Sequence, residues 1–465
     1  MTDADVLPDI FPDYVGVTVP STIAPLNFCM SDENVEDMLV EVSSPAGASL
    51  SVRGDVARFP IRKWHSMLRA AMGQDLSVSV CACKDGAWTR YRTFEIHVSE
   101  DEMDYGLSYR LIAPGYHNYS MMGIYERNLS NFKEKALIEN TQFDGCVNCH
   151  SYNQCDPSDM SLHIRGEHGA TLLRKDGKMD AYDTKTEGSV GACVYPYWHP
   201  SGDYIAYSSN STMQTFHVGS QKLIEVFDSA SDVYVYDVRK NELIHYPELS
   251  GDDAWETFPS FSPDGRTLYF CKANPVNVPL NIRDVHYDLC KVGFDPSTGE
   301  ITGPVEVLVE ASAHGGSVSF PRPSFDGRFI MYAMAEYGNF SIWHPESDLW
   351  LYDLATGENR PVAAANSGAA DSYHNWSSNS RWFVLGSRRV DGMFTMPFIS
   401  HIDENGNATK PFLVPQENPR NYYRSQMRSY NIPEFITGPV SFDRIKAEKL
   451  INRPSRTPFG SRIAE

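Results

Sequence analysis

One pattern recurs four times through the C-terminal half of this chain, and it restricts the fold more than any other feature. The copies are Tyr195-Pro-Tyr-Trp-His-Pro-Ser-Gly-Asp-Tyr-Ile-Ala-Tyr207, Phe258-Pro-Ser-Phe-Ser-Pro-Asp-Gly-Arg-Thr-Leu-Tyr-Phe270, Phe320-Pro-Arg-Pro-Ser-Phe-Asp-Gly-Arg-Phe-Ile-Met-Tyr332 and Tyr373-His-Asn-Trp-Ser-Ser-Asn-Ser-Arg-Trp-Phe-Val-Leu385. Each reads as strand, tight turn, strand, with Gly265 and Gly327 supplying the positive φ that such a reversal needs. A further strand follows each copy, for example Asp232-Val-Tyr-Val-Tyr-Asp237 and Asp348-Leu-Trp-Leu-Tyr-Asp353. Pro196, Pro259 and Pro321 lie 63 and 62 residues apart, and His374 takes the equivalent place 53 residues later. A unit of about four strands repeated in this way is a propeller blade. The spacings exceed the usual ~40 to 50 residues, so 209–229 and 272–286 read as insertions.

This repeat, aromatic-Pro-x-aromatic-Ser-Pro-Asp-Gly-Arg, resembles the WD-like repeat of TolB-type β-propellers. The resemblance covers roughly residues 190–415 and implies an all-β, six-bladed propeller. Five and seven blades also satisfy the spacing, because the first blade is the weakest copy. Tyr125–Ile138 reads as the outer hairpin of that blade, and 145–177 as part of the next. The blades fall at about 105–142, 143–189, 190–252, 253–313, 314–368 and 369–416. Residues 1–22 read as an extended segment. Residues 23–104 read as a small β-sandwich-like domain with one helix over Arg62–Met72, capped by Gly73. The propeller takes 105–416 and a C-terminal tail 417–465. In that tail Arg444, Lys446, Lys449, Arg453, Arg456 and Arg462 cluster, which suits a solvated segment or one packed on an acidic body.

Inside the second blade stands Cys146-Val147-Asn148-Cys149-His150, the attachment pattern of c-type haem. Two thiols three residues apart can form thioethers to one porphyrin, and the histidine after them can ligate its iron. If Cys149-His150-Ser151-Tyr152 occupies the place of Tyr195-Pro196-Tyr197-Trp198, the motif leads into an innermost strand. Loops entering innermost strands line the mouth of a propeller's channel. Cys146 and Cys149 are therefore expected to hold covalent haem c at that mouth, with His150 as proximal ligand. His374, aligned with His150, and His314, before Gly315-Gly316, are the candidate distal ligands. A chance match, a disulfide and a zinc pair are the competing accounts of the pentapeptide. Zinc needs a second ligand pair, and Cys155 and Cys193 belong to none.

The net charge of −20 excludes a nucleic-acid binder, because no basic surface neutralises phosphates. No apolar run approaches the roughly 20 residues of a membrane span. Residues 1–20 carry no basic and apolar leader pattern. That conflicts with haem attachment, which implies a periplasmic or cell-envelope location; a mature-type sequence, a late start codon or an intracellular protein without haem each resolve the conflict. Hydrolase and transferase signatures are missing: there is no Gly-x-Ser-x-Gly, no phosphate loop and no His-Glu-x-x-His. Two functions follow. One is a haem-bearing envelope propeller that transfers electrons to a redox partner or senses a small ligand. The other is a TolB-like interaction scaffold that binds a protein, peptide or glycan without redox activity.

Overall fold

A computed structural model describes residues 1–113, 121–143, 145–220 and 222–464, with only the backbone of residue 142. Six four-stranded antiparallel blades surround a central channel, so the chain is an all-β, six-bladed propeller. The blades begin where the repeat places them. The first is closed differently from the expected 105–142. Its three outer strands, Gly106–Ile112, Gly123–Asn128 and Glu134–Glu139, receive their innermost strand, Ser429–Ile436, from the far end of the chain. The segment 417–465 is therefore not a tail. It closes the ring, then returns as the helix Arg444–Ile451. Short parallel strands from it add to the outer edges of blades two and three. Apolar Ala447, Leu450 and Ile451 are buried in the core of blades one and two. Arg444, Lys446, Lys449 and Arg453 are exposed, Arg456 donates to the His168 and Ile451 carbonyls, and Arg462 pairs with Glu242 and Glu300.

The repeated turn explains the repeated sequence. In blade four the Ser262 hydroxyl donates to Asp264 at 2.5 Å and accepts the Thr267 N–H at 3.0 Å, while Asp264 accepts the Arg266 N–H. Ser324 and Asp326 repeat this in blade five. In the degenerate copy of blade six, Ser377 and Asn379 make the same bonds. There Ser380 takes the left-handed place at φ 59°, and its hydroxyl accepts the Asp326 N–H of blade five at 3.0 Å. Gly265 has no such freedom. It sits at φ 71°, and a Cβ there would overlap the His199 ring, which is packed against Tyr204, Phe261 and Phe294. Gly265→Ala is expected to destabilise by about 2–4 kcal/mol, the left-handed penalty plus overpacking. Urea unfolding measures it. A loss below about 0.5 kcal/mol, the scale of an ordinary surface substitution, would contradict the packing described.

The N-terminal region forms one seven-stranded sheet and a two-stranded ribbon, with the helix Ile61–Ala70 across it. The helix runs close to its expected span. The central strand Gln74–Lys84 pairs along its length with Asp37–Ser43, and on its other edge with Phe94–Ser99 and then Ala87–Arg90. Its buried alternation of Leu76, Val78 and Val80 is the period-two signature of a half-buried strand. This core is continuous with blades one and six, through Tyr109, Trp382 and Phe412. Polar clamps fix the junction. Asp104 accepts from the Ser378 amide and hydroxyl, and Asp101 lies 2.6 Å from His401.

Candidate functional site

Every innermost strand carries a bulge at an equivalent place, and these bulges line up around the channel. The bulge residues are Cys149, Tyr195, Phe258, Phe320, Tyr373 and Ile432, all at φ between 44° and 54°. At each, the strand slips register against its neighbour. Four blades place an aromatic ring here. Tyr195 packs on Phe258 at 4.8 Å, Phe258 on Phe320 at 4.1 Å and Phe320 on Tyr373 at 5.1 Å. These rings close the channel on one side. Blades one and two place only Ile432 and Cys149 at the equivalent positions.

A cavity of about 330 Å³ lies at the mouth of the channel, beside these smaller bulge residues. Tyr195, Tyr373 and Ile432 contribute to its floor, and Phe340 and Trp343 add aromatic wall. Arg110 of blade one and Arg165 of blade two supply positive charge. Cys146 lies at its edge. Further down the channel, two residues after each bulge, stand Arg322 and Glu434. Arg322 lies over the Tyr197 ring at 5.4 Å, and Glu434 accepts the Tyr152 N–H at 3.2 Å. Burial pushes the Glu434 carboxyl up to about 8, with Arg322 opposing, so it is mostly protonated at neutral pH.

The 209–229 insertion is no loop. The second and third strands of blade three, Tyr204–Phe216 and Ile224–Asp237, run on beyond the blade as one long hairpin. This strap passes over blade four to reach blade five. The buried Asp228 carboxylate accepts from Asn339 at 2.6 Å, and Tyr337 donates to Glu225 at 2.5 Å. His344 lies 3.4 Å from Glu225 and 3.3 Å from Glu346, and Lys222 lies 2.6 Å from Glu346. Thr212, Gln214 and Val226 of the strap form a wall of the cavity. The strap therefore forms one side of the cavity.

The sequence-predicted residues divide. The pentapeptide does not precede the innermost strand of blade two; it is part of it, Cys146–Asn153. Cys146 reaches the cavity as expected. Cys149 is buried at the bulge and burial raises its thiol pKa. His150 follows the bulge, where other blades carry Pro196, Pro259, Pro321 and Pro433. Its ring is 2% exposed, points away from the cavity lining, and both nitrogens lack a hydrogen-bond partner. Burial drives its pKa down to about 3. Cys149 and His150 are each 2% exposed and neither lines the cavity that Cys146 reaches, so the three do not open on one space. These three side chains accordingly do not fit covalent haem. An orphaned imidazole is a feature that suits an iron ligand, but His150 does not line the cavity at which Cys146 lies.

His374 is the blade-six counterpart of His150. It is held in the core by a 2.9 Å hydrogen bond to the Met331 carbonyl of blade five, and burial lowers its pKa to about 3. His314 ends an exposed 3-10 turn, away from the cavity. Neither faces His150 across the channel as a distal ligand. Among the described residues no group of three His, Cys, Asp or Glu side chains is placed to hold a metal ion. No helix among them is long and apolar enough to cross a membrane. Sequence reasoning missed Arg110, Arg165 and the closing strand. A signal for the strand exists: Ile432-Pro433-Glu434-Phe435 repeats the aliphatic or aromatic-Pro-x-aromatic core of the other blades.

No family model and no curated protein matches the chain. Solved structures resemble it at the level of fold. Prolyl oligopeptidase B from Galerina marginata, bound to a macrocyclization substrate, gives a TM-score of 0.37 at 10% identity over 82% of this chain and 53% of that one. A DUF4784 family protein from Bacteroides caccae gives 0.31 at 8% identity, covering 77% and 96%. Porphyromonas gingivalis dipeptidyl peptidase 4 gives 0.29 at 9% identity, covering 63% and 48%. The chain thus spans about half the length of the two peptidases. At these scores none of the three informs the site.

Proposed function

We propose that this protein is a binding scaffold, TolB-like in its repeat, that holds a peptide or small molecule in the cavity at its channel mouth. The observation that carries this reading is the cavity itself: about 330 Å³, within the usual size range of ligand sites. It has an aromatic floor, two arginines and a wall made by a strap from another blade. Inner strands position the floor, and the strap, held on blade five, supplies the wall. The haem reading rests on the pentapeptide alone. An envelope location and a redox partner were inferred from the same five residues and have no other support.

Cys146 offers a direct test. It is the single partly exposed cysteine of nine, and it lies on the cavity. Capping it with a bulky maleimide fills the site without changing the sequence. Ligands found by thermal shift are expected to raise the melting temperature of the free protein and not of the capped one, since only a ligand bound to the folded state stabilises it. Equal shifts in both forms would place ligand binding elsewhere and end this reading.

A further inference from the structure

Neither arginine of the cavity has a carboxylate within ion-pair distance; Asp228 acts on Arg165 only from longer range. Arg110 is 6% exposed. Its guanidinium is held by neutral groups only. It donates to the Asn148 side chain, to the Val147 carbonyl at 3.5 Å and, in the favoured amide orientation, to Asn431 at 2.9 Å. Its Nε has no partner. The backbone of Arg165 pairs with Cys146 in the blade-two ladder, but its guanidinium makes no side-chain hydrogen bond and no ion pair among the described residues. Two carboxylates are nearby. Glu167, on the rim, is exposed and within ion-pair distance of neither. Asp228 lies behind Thr212, already accepting from Thr212, Asn210 and Asn339.

A buried charge without a counter-charge is costly unless something pairs with it. The chain carries a net charge of −20, so carboxylates are abundant in composition, yet none among the described residues lies within ion-pair distance of these two side chains. We propose that the cavity recognises a carboxylate on an aromatic or apolar body. The carboxylate would lie between Arg110 and Arg165, with its body against Tyr195, Tyr373 and Phe340. Guanidinium and carboxylate match as planar, bidentate partners. The volume suits a small organic acid or the last residue of a peptide. This inference rests on the binding reading above and narrows it to a ligand class.

The test uses phenylacetate, as a free acid, and an acetylated dipeptide ending in a free phenylalanine carboxylate. Their amides serve as neutral controls. Calorimetry gives affinity, and protection of Cys146 from alkylation reports the location. Each acid is expected to bind at least about tenfold more tightly than its amide, the scale of one charge-assisted hydrogen bond. Arg165→Gln is expected to remove that preference without lowering the melting temperature of the free protein, since it relieves a charge with no close partner, and Arg165→Lys to restore part of the preference. Tighter binding of the dipeptide acid than of phenylacetate identifies a chain terminus as the ligand; the reverse order identifies a free acid. If amides protect Cys146 as well as acids do, the charge proposal is overturned while the cavity remains a binding site. If the thiol is labelled freely and neither acid protects it at millimolar concentration, the proposal is also overturned.

Discussion

Deleting residues 429–465 is expected to abolish cooperative folding. The strand Ser429–Ile436 is the innermost strand of blade one, paired along Gly106–Ile112. It joins the end of the chain to the first blade by a strand pairing, and the helix Arg444–Ile451 that follows packs on the same blade. Tyr430, Phe435 and Ile436 on it are 1%, 1% and 0% exposed. Burying three such side chains contributes about 5–9 kcal/mol, comparable with the whole stability of a typical domain at about 5–15 kcal/mol. Its loss also leaves the edge of Gly106–Ile112 unpaired beside the core shared with the N-terminal region. Such an edge is a template for aggregation. The single substitution Phe435→Ala tests the same contact more gently, at about 3–5 kcal/mol. A truncated chain that unfolds in one sharp urea transition near the full-length midpoint would contradict this role.

The second large effect concerns the latch between strap and blade five. Glu225→Ala is expected to cost about 3–5 kcal/mol, because it breaks a buried ion pair and strands its partners. Glu225 and His344 are 4% and 3% exposed. The charged groups facing His344 are Glu225 and Glu346, with Lys222 beyond Glu346 and the Tyr337 ring at 4.7 Å. Burial alone would lower the His344 pKa, but hydrogen bonds to Glu225 and Glu346 outweigh it and raise the value above 6.5. Burial likewise opposes the carboxylates, yet hydrogen bonds from His344 and Lys222 hold Glu346 down to about 2, and those from His344 and Tyr337 lower Glu225.

The signs follow from linkage. The raised histidine contributes fully below its ordinary 6.5 and loses that contribution as pH rises through its folded value. The lowered carboxylates contribute above their ordinary 4.5 and lose it as pH falls through their folded values. The latch is therefore tightest between about 4.5 and 6.5 and loosens in alkali. Amide exchange within 212–216 and 224–228 is expected to quicken from pH 6 to pH 9 after correction for the intrinsic rate. In Glu225→Ala it should be fast at both. A strap equally protected at both pH values in the parent protein would count against the latch.

Much of this architecture was legible because each blade repeats a local solution. Ser, Asp and Gly close the turn, and an aromatic-proline pair marks the bulge, so alignment alone located five inner strands. The sixth escaped because Ile432 replaces the aromatic residue and the copy lies apart from the others, beyond a segment that read as a tail. The strap was hidden for another reason. Ser- and Thr-rich text between Ser209 and Ser229 has the composition of a loop, and only its contacts on blade five hold it as a hairpin.

The motif shows where pattern reading stops. Aligning Cys149 with Tyr195 was correct in register. Yet the residue after a bulge faces the neighbouring blade, so His150 and His374 are buried between blades where prolines otherwise stand. A proline needs no ladder partner at a bulge, and two buried neutral histidines take the same place. Cys149 is then a buried bulge residue of the inner strand. Arg110 and Arg165 were invisible because their meaning lies in what does not accompany them, and that is a property of the folded site.

The most direct measurement is alkylation of the native protein, made with haem-maturation machinery and an export signal, followed by mass analysis. The account predicts one adduct, on Cys146, with Cys149 modified only after unfolding and no covalent Soret absorbance. Cys146 and Cys149 both refractory before and after unfolding, with a Soret band surviving acid-acetone extraction, would contradict it.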